Sequence, residues 1–439
     1  MQVYKFGGTS LGTAERMKSV ADLITRDQKQ KIVVLSAVSG TTDKLIGLSK
    51  ADIESGEAIL RDMEHAYTDY KNTLLTNSDC LASATEFLAE TFTSLREALH
   101  LQKAKDEKWF VAFGEFISTS LFSLLLIERG VNSAYLPALD FMRTADGEPV
   151  MPVIEDLLQK VIASIGKKDI YVTQGYICRN EDDEIDNLRR GGSDYTATII
   201  GAALRVEEIQ IWTDIDGVHN NDPRVVKNTR PIEKLSYAEA AELAYFGAKI
   251  LHPLCVRPAR LAAVPIRLLN TLNPAAPGTL IHQANPLSHG GAKAVAAKDG
   301  ITAINIRSSY MLMAHGFLRK IFEVFEVHKT SVDMITTSEV AVSLTIDDDK
   351  HLDSIVNDLK DFGTITVDKD QTIICVVGSF GKDESGAGLR ILSSLKDIPI
   401  RMISFGGSES NISILISAGN KKEALKALNT GLFGQDQAK

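Results

Sequence analysis

The sequence predicts an α/β chain: an open, mostly parallel sheet lying between helices, followed by two smaller modules that repeat a βαββαβ pattern. Three observations carry that prediction. Short apolar runs alternate with helical patterns through the first two thirds of the chain. A glycine-rich turn follows the first of those runs in "VYKFGGTSLG", residues 3–12. Later, "SVDMIT" (331–336) and "PIRMIS" (399–404) share their apolar positions at an offset of 68, each after a helical segment and before an apolar strand.

The elements follow in order. After the first strand, Met17, Val20, Ala21 and Ile24 fall at i, i+3, i+4 and i+7, which gives a helix one apolar stripe. "KIVVLSAV" (31–38) is a continuous apolar run, as in a parallel strand covered on both faces, and it completes a βαβ unit. Residues 50–108 are polar and helical and read as an insertion over the sheet. "LFSLLLI" (121–127) is far short of the roughly 20 residues a membrane span needs, and reads as a buried helix. "DIYVTQGYI" (169–177) and "EIQIWTDI" (208–215) are further strands. Ser236 and Glu239 fit a capping box opening a helix that runs to about "FGAKILHP" (246–253). The Gly/Pro/Ala-rich stretch at 284–299 suits a linker. The expected division is therefore 1–283, linker 284–299, first module 300–370 and second module 371–439.

Composition bounds the function. The chain has 439 residues, 44% of them hydrophobic and 24% charged, which is ordinary for a soluble globular protein. A net charge of −9 argues against nucleic acid or an anionic membrane as partner, so a basic site for an anionic ligand must be local. Four cysteines lie far apart without a CxxC, which points to neither zinc nor a disulfide framework and fits a reducing cytoplasm. The first residues carry Lys5 and a glycine turn rather than the n- and h-regions of a signal peptide.

Four clusters bear chemistry. Gly7 and Gly12 have P-loop spacing, but Thr13 stands where a P-loop needs lysine, and no dinucleotide fingerprint occurs. Lys5 instead precedes the glycines on the strand. There it either neutralises a phosphate above the sheet, with the N–H groups freed by Gly7 and Gly8, or is a solvated lysine at an ordinary turn. "NLRRGGSDYTATIIGAAL" (187–204) sets arginines, glycines, Ser193 and Asp194 before an apolar helix, a place suited to anions. Ser193 and Asp194 equally suit plain helix-start roles. "IWTDIDGVHNNDPRVV" (211–226) is a strand end and a long turn-rich loop, located where open α/β sheets bind ligands. Lys249 falls late in its expected helix, where a lysine also complements the macrodipole.

Together these clusters resemble the amino-acid kinase fold and, within it, the aspartate kinases. The likeness rests on "KFGGTS" (5–10), "SGTTDKL" (39–45), "GE" (114–115), "RGGSD" (190–194), "WTDIDGVHNNDPR" (212–224) and "FGAKILHP" (246–253). It implies ATP-dependent phosphorylation of the β-carboxylate of L-aspartate, the first step toward lysine, threonine and methionine, with Mg2+ accompanying ATP and no protein ligand for the metal assigned. Carried over, Lys5, Gly7 and Gly8 meet the transferring phosphoryl group, with Asp194 orienting Lys5. Ser36, Thr42, Glu115, Arg190 and Ser193 hold aspartate, Glu115 by its ammonium and Arg190 by its α-carboxylate. Thr213, Asp214, His219, Arg224 and Lys249 line the nucleotide site. Family members often carry tyrosine where His219 stands, so nucleotide stacking is expected to differ there.

The repeated modules resemble ACT domains, and residues 311–342 look like the first module of the lysine-sensitive branch. That likeness implies a lysine effector site drawn from Met311, Gly316, Phe317, Asp333, Thr337, Ser338 and Glu339, with Asp333 and Glu339 pairing its two ammonium groups. It also implies a homo-oligomer formed through these modules. The chain's end soon after the second module leaves no room for a fused homoserine dehydrogenase. Rival readings are a kinase of the same fold acting on glutamate, acetylglutamate or a nucleotide, and a non-catalytic amino-acid sensor with a decayed kinase domain.

Overall fold

The structure, a computed structural model, describes residues 1–101, 106–188, 191–247, 251–283, 291–311, 315–380 and 385–434. Two compact units are present. The first comprises Met1–Val218, Glu233–Tyr237 and Leu251–Gln283; the second comprises His219–Ile232, Ala238–Ile250 and Ala284–Lys439.

The first unit is built on β1 (Gln2–Phe6), β2 (Lys31–Leu35), β3 (Ser133–Tyr135), β4 (Ile170–Gln174), β5 (Ile209–Thr213), β6 (Lys234–Ser236), β7 (Ile266–Asn270) and β8 (Thr279–His282). Among the described residues they form one eight-stranded sheet in the order β6-β8-β7-β5-β1-β2-β4-β3. Every neighbouring pair is parallel except β7 with β8. β1 is central, with β2 on one side and β5 on the other, and the chain reverses its direction of winding there. In such sheets the crevice at the strands' C-terminal ends receives ligands.

Helix α1 (Ala14–Ile24) begins where the Thr13 hydroxyl accepts from the Arg16 N–H, and its predicted stripe of Met17, Val20, Ala21 and Ile24 is wholly buried. α2 spans Thr41–Lys50. α3 (Ile53–Leu74) and α4 (Ser78–His100), capped by Asp52 and Asn77, form the helical insertion. Tyr67, Leu88 and Phe92 from this pair join the same core as Phe6, Val33 and Trp212 from the sheet. α5 (Glu107–Glu128) contains the run 121–127 but is 22 residues long. By length and composition it is able to span a membrane, which the seven-residue reading missed, yet most of its apolar window is buried inside the unit. α6 (Gly192–Ala203) follows the second glycine turn. α7 (Tyr237–Tyr245) stops earlier than its sequence pattern predicts, and α8 (Pro253–Ala262) is a separate helix.

The second unit contains β9 (Ala292–Arg307), α9 (Phe317–Val327), β10 (Ile335–Thr337), β11 (Ala341–Ile346), α10 (Leu352–Leu359), β12 (Thr364–Gly378), α11 (Ala387–Ser394), β13 (Met402–Ser404), β14 (Asn411–Ser417) and α12 (Lys421–Leu428). Its strands make one antiparallel sheet in the order β10-β11-β9-β12-β14-β13. The two repeats end in matching edge strands, β10 and β13.

Two expectations are corrected here. The proposed linker is strand from Ala292 onward; 284–290 lie outside the described residues. Its small side chains resemble linker composition, but Ala294, Val295 and Ala296 are buried, and the stretch pairs with the far half of β12. The second module is consequently not contiguous in sequence. Residues 292–298 pair with 373–378 and pack over Ile374, Val376, Ile414 and Leu425, while the later half of β9 serves the first module's core of Ile304, Ile321, Phe325 and Leu344. Long strands β9 and β12 each serve both modules.

Candidate active site

A cleft of about 900 Å³ opens at the C-terminal ends of β1, β2 and β4. Lys5, one residue from the end of β1, sends its Nζ to Asp194 Oδ1 at 2.7 Å, with both side chains largely enclosed. Asp194 sits in the first turn of α6. Gly8 lets two backbones meet, since a Cβ there would lie 2.8 Å from the Ala37 carbonyl oxygen. Gly191 caps α6 at φ +74, and a Cβ would lie 2.4 Å from that of His252. Gly40 caps α2 in the same left-handed conformation. Two helix N-termini, both bordering the cleft, thus present backbone N–H groups and partial positive charge without a capping side chain.

Glu115 reaches the cleft from α5. The Ala37 N–H donates to its Oε1 at 3.1 Å, and Oε2 is buried without a hydrogen-bond partner among the described residues. Burial pushes this carboxyl up from 4.5 to about 8. A buried acceptor left unmade costs about 1–3 kcal/mol, more when charged, so the site is poised for a cationic donor. Behind it, the Thr41 and Tyr67 hydroxyls share a 2.6 Å hydrogen bond.

Of the residues expected from sequence, Lys5, Gly8, Ser36, Thr42, Glu115, Ser193 and Asp194 line this one cleft. Arg190 and Lys249 lie outside the described residues. Gly7, Thr213 and Asp214 stand at the same edge of the sheet but are not among the residues lining the cleft. The Gly7 N–H donates to the Trp212 carbonyl at 3.4 Å, and the Thr213 hydroxyl donates to Asp214 at 3.2 Å. His219 and Arg224 belong to the second unit, where His219 Nδ1 bonds Thr229 Oγ1 at 2.9 Å and Arg224 forks onto Asp222 at 2.8 and 2.9 Å. Of the expected nucleotide set, Lys5 and Gly8 line this cleft.

Sequence reasoning missed Tyr176, Lys108 and Asn187, all of which line it. Tyr176 holds a positive φ of 67 while its N–H donates to Thr196 Oγ1 at 2.9 Å, a constraint with no local signature. Lys108 pairs with Asp186 at 2.7 Å, which raises its pKa. That pair joins the start of α5 to the strand just before the arginine-glycine turn.

The expected effector residues all fall in the second unit. Gly316 caps α9, Phe317 packs edge-on against Phe362, and Met311 packs against the first module's core. Thr337, Ser338 and Glu339 are exposed. Asp333 is not a solvated loop acid: its side chain is fully enclosed and holds Lys298 at 3.0 Å. Pairing of a ligand by Asp333 and Glu339 together is thus not preformed.

The model of the amino acid kinase family matches residues 1–270, and an ACT domain model matches 374–432. The chain is 34% identical to aspartokinase 3, chloroplastic, of Arabidopsis thaliana, over 99% of this chain and 82% of that protein. It is 32% identical to the lysine-sensitive aspartokinase 3 of Escherichia coli, over 98% of this chain and 99% of that one. The structure is similar to E. coli aspartokinase III in complex with aspartate and ADP, with TM-score 0.85 at 30% identity, covering 99% of this chain and all of that one. For that enzyme in complex with lysine and aspartate the TM-score is 0.77, at 30% identity and 99% coverage of both chains.

Proposed function

We propose, from the premise that this chain belongs to the amino acid kinase family and within it to the aspartokinases, that its cleft transfers the γ-phosphoryl group of ATP to the β-carboxylate of L-aspartate. The observation that carries the reading is the pairing of unlike sites in one cleft. A lysine anchored by Asp194 stands ready for phosphate, and an enclosed carboxyl oxygen on Glu115, unpartnered among the described residues, stands ready for an ammonium.

The attacking group needs no general base, because a carboxylate with a pKa of about 4 is already ionised at neutral pH. What opposes reaction is the approach of two anions. Positioning and electrostatic stabilisation dominate phosphoryl transfer, so fixed cations and dipoles are the useful groups. Lys5 Nζ neutralises the transferring phosphoryl group, and Asp194 fixes where that ammonium sits. Glu115 takes the substrate ammonium and Arg190 its α-carboxylate, leaving the β-carboxylate directed at phosphorus. Thr42, Ser36 and Ser193 supply hydroxyls around it. Gly7, Gly8, Thr213, Asp214, His219, Arg224 and Lys249 remain our assignment for the nucleotide.

Mg2+ accompanies ATP. Among the described residues no group of three or more His, Cys, Asp or Glu is placed to hold a metal. Mg2+ is commonly held by substrate phosphates and water with one or two carboxylates, and it would neutralise phosphate charge when bound.

Lysine as inhibitor at the first ACT module is supported by the likeness to the lysine-sensitive E. coli enzyme. A homo-oligomer through the modules fits the exposed apolar side chains Phe322, Leu389 and Phe405. Four buried free cysteines fit a reducing cytoplasm.

Hydroxylamine trapping tests the reaction, because an acyl phosphate yields a hydroxamate and a phosphate ester does not. We expect hydroxamate with ATP and aspartate, suppressed by added lysine; formation with glutamate or acetylglutamate instead would overturn the substrate. Arg190→Ala should raise the aspartate KM by about tenfold to a hundredfold with kcat little changed, the pattern of lost ground-state binding. A fall in kcat at unchanged KM would remove Arg190 from the substrate site.

A further inference from the structure

The second unit holds an ammonium site that the chain itself already fills. Asp333 lies just before edge strand β10, with its side chain fully enclosed. Its Oδ1 accepts from Lys298 Nζ at 3.0 Å and from the Tyr245 hydroxyl. Its Oδ2 is buried and has no hydrogen-bond partner among the described residues. Lys298 stands at a register shift in β9, where pairing with β12 slips between Lys298 and Ile301. The same ammonium reaches Asp347 at 2.7 Å and lies 4.2 Å from the centre of the Tyr245 ring. A carboxylate, a second carboxylate and an aromatic face thus surround a primary alkylammonium.

We propose that Lys298 is a built-in competitor of the effector: its ε-ammonium occupies, on Asp333, the position that an ammonium of free lysine takes. The inference rests on the lysine-effector reading above and adds what sets the affinity. Two ammonium groups cannot share one enclosed carboxylate without strong like-charge repulsion, so the ligand binds only as Lys298 and the Tyr245 hydroxyl leave. Its apparent affinity is then reduced by the fraction of molecules in that open arrangement.

The repeat supplies a contrast. The position equivalent to Asp333 in the second module is Arg401, paired with Asp368, so no carboxylate is offered to an ammonium there. Competition for Asp333 also touches α7. Tyr245 ends that helix, whose Glu239 pairs with Lys293 at 2.8 Å and whose Glu242 accepts from Ser408 at 3.1 Å and from Asn411. Displacing Lys298 therefore loosens one of the helix's ties to this sheet.

Calorimetric titration of L-lysine into the full-length protein tests the proposal, with folding of each variant checked by its thermal transition. Lys298→Met should bind lysine about tenfold more tightly than the parent, because the competitor is gone. Lys298→Arg, which keeps the cation, should bind no more tightly. Tyr245→Phe, which removes only a hydroxyl, should bind about threefold more tightly and decides the matter if Lys298→Met does not fold. Equal or weaker binding by a folded Lys298→Met, or by Tyr245→Phe in its stead, overturns the competition. A parent protein that binds no lysine overturns the effector reading, and the competition with it.

Discussion

Replacing Lys5 by methionine should lower kcat by roughly 10³-fold while the aspartate KM changes little. Methionine keeps the length and much of the volume of the side chain and removes the charge, so the loss reports electrostatics. In the resting enzyme the Lys5 ammonium lies 2.7 Å from Asp194. In its proposed role its worth in catalysis comes from charge gathering on the transferring phosphoryl group, since only an interaction stronger in the transition state than with bound ATP raises kcat. In the proposed arrangement other residues, Glu115 and Arg190, hold aspartate, which is why KM is spared. The substitution also orphans Asp194, and removal of one partner from a buried pair is destabilising. Lys5→Met should therefore melt earlier, and Lys5→Met with Asp194→Asn should recover stability without recovering kcat. Steady-state kinetics and thermal melts on the three proteins separate the roles. If the double variant regained both, Lys5 would be structural.

That pair also shows what the sequence made legible. A lysine on a strand that ends in a glycine turn, and an aspartate opening a helix after a second glycine turn, are local patterns. A parallel sheet brings local patterns of this kind to one edge, and here it joins them. The stripe of α1 and the apolar run of β2 were readable for a similar reason, because each is dictated by its own periodicity. Tyr176 was not readable. Its positive φ follows from hydrogen bonding to Thr196 and from packing on Gly192, neither visible in its neighbours along the chain. The start of β9 misled outright. Alanines at 294 and 296 carry weak strand propensity, and burial against β12 overrides it. The interleaving of the two modules is likewise a property of pairing between distant strands, which no single window contains. Glu115 stands between these cases: family resemblance marked it, but its burial and the bond from the Ala37 N–H are tertiary features with no local pattern.

Replacing Glu115 by glutamine should raise the aspartate KM by about a hundredfold and, at the same time, stabilise the ligand-free protein at alkaline pH. Both effects have one origin. Burial holds this carboxyl at about 8 against an ordinary 4.5, so in the empty cleft near neutrality it is mostly protonated. The substrate ammonium needs the ionised form, and binding must expel the proton. For the parent enzyme the aspartate KM should therefore fall by up to about tenfold per pH unit as pH rises toward 8, then level off. Glutamine has nothing to ionise, so its KM should be high and flat over that range. Stability moves the other way. Between 4.5 and about 8 the folded chain binds more protons at this group than the unfolded chain does, so the parent loses stability as pH rises through that window. Glu115→Gln should then melt at nearly the parent's temperature at pH 5 and above it at pH 8.5, and saturating aspartate should close the gap by pairing the parent's carboxylate. A pH-independent KM in the parent, or a melting difference that ignores both pH and aspartate, would mean that Glu115 is a structural acid and that the substrate ammonium is held elsewhere.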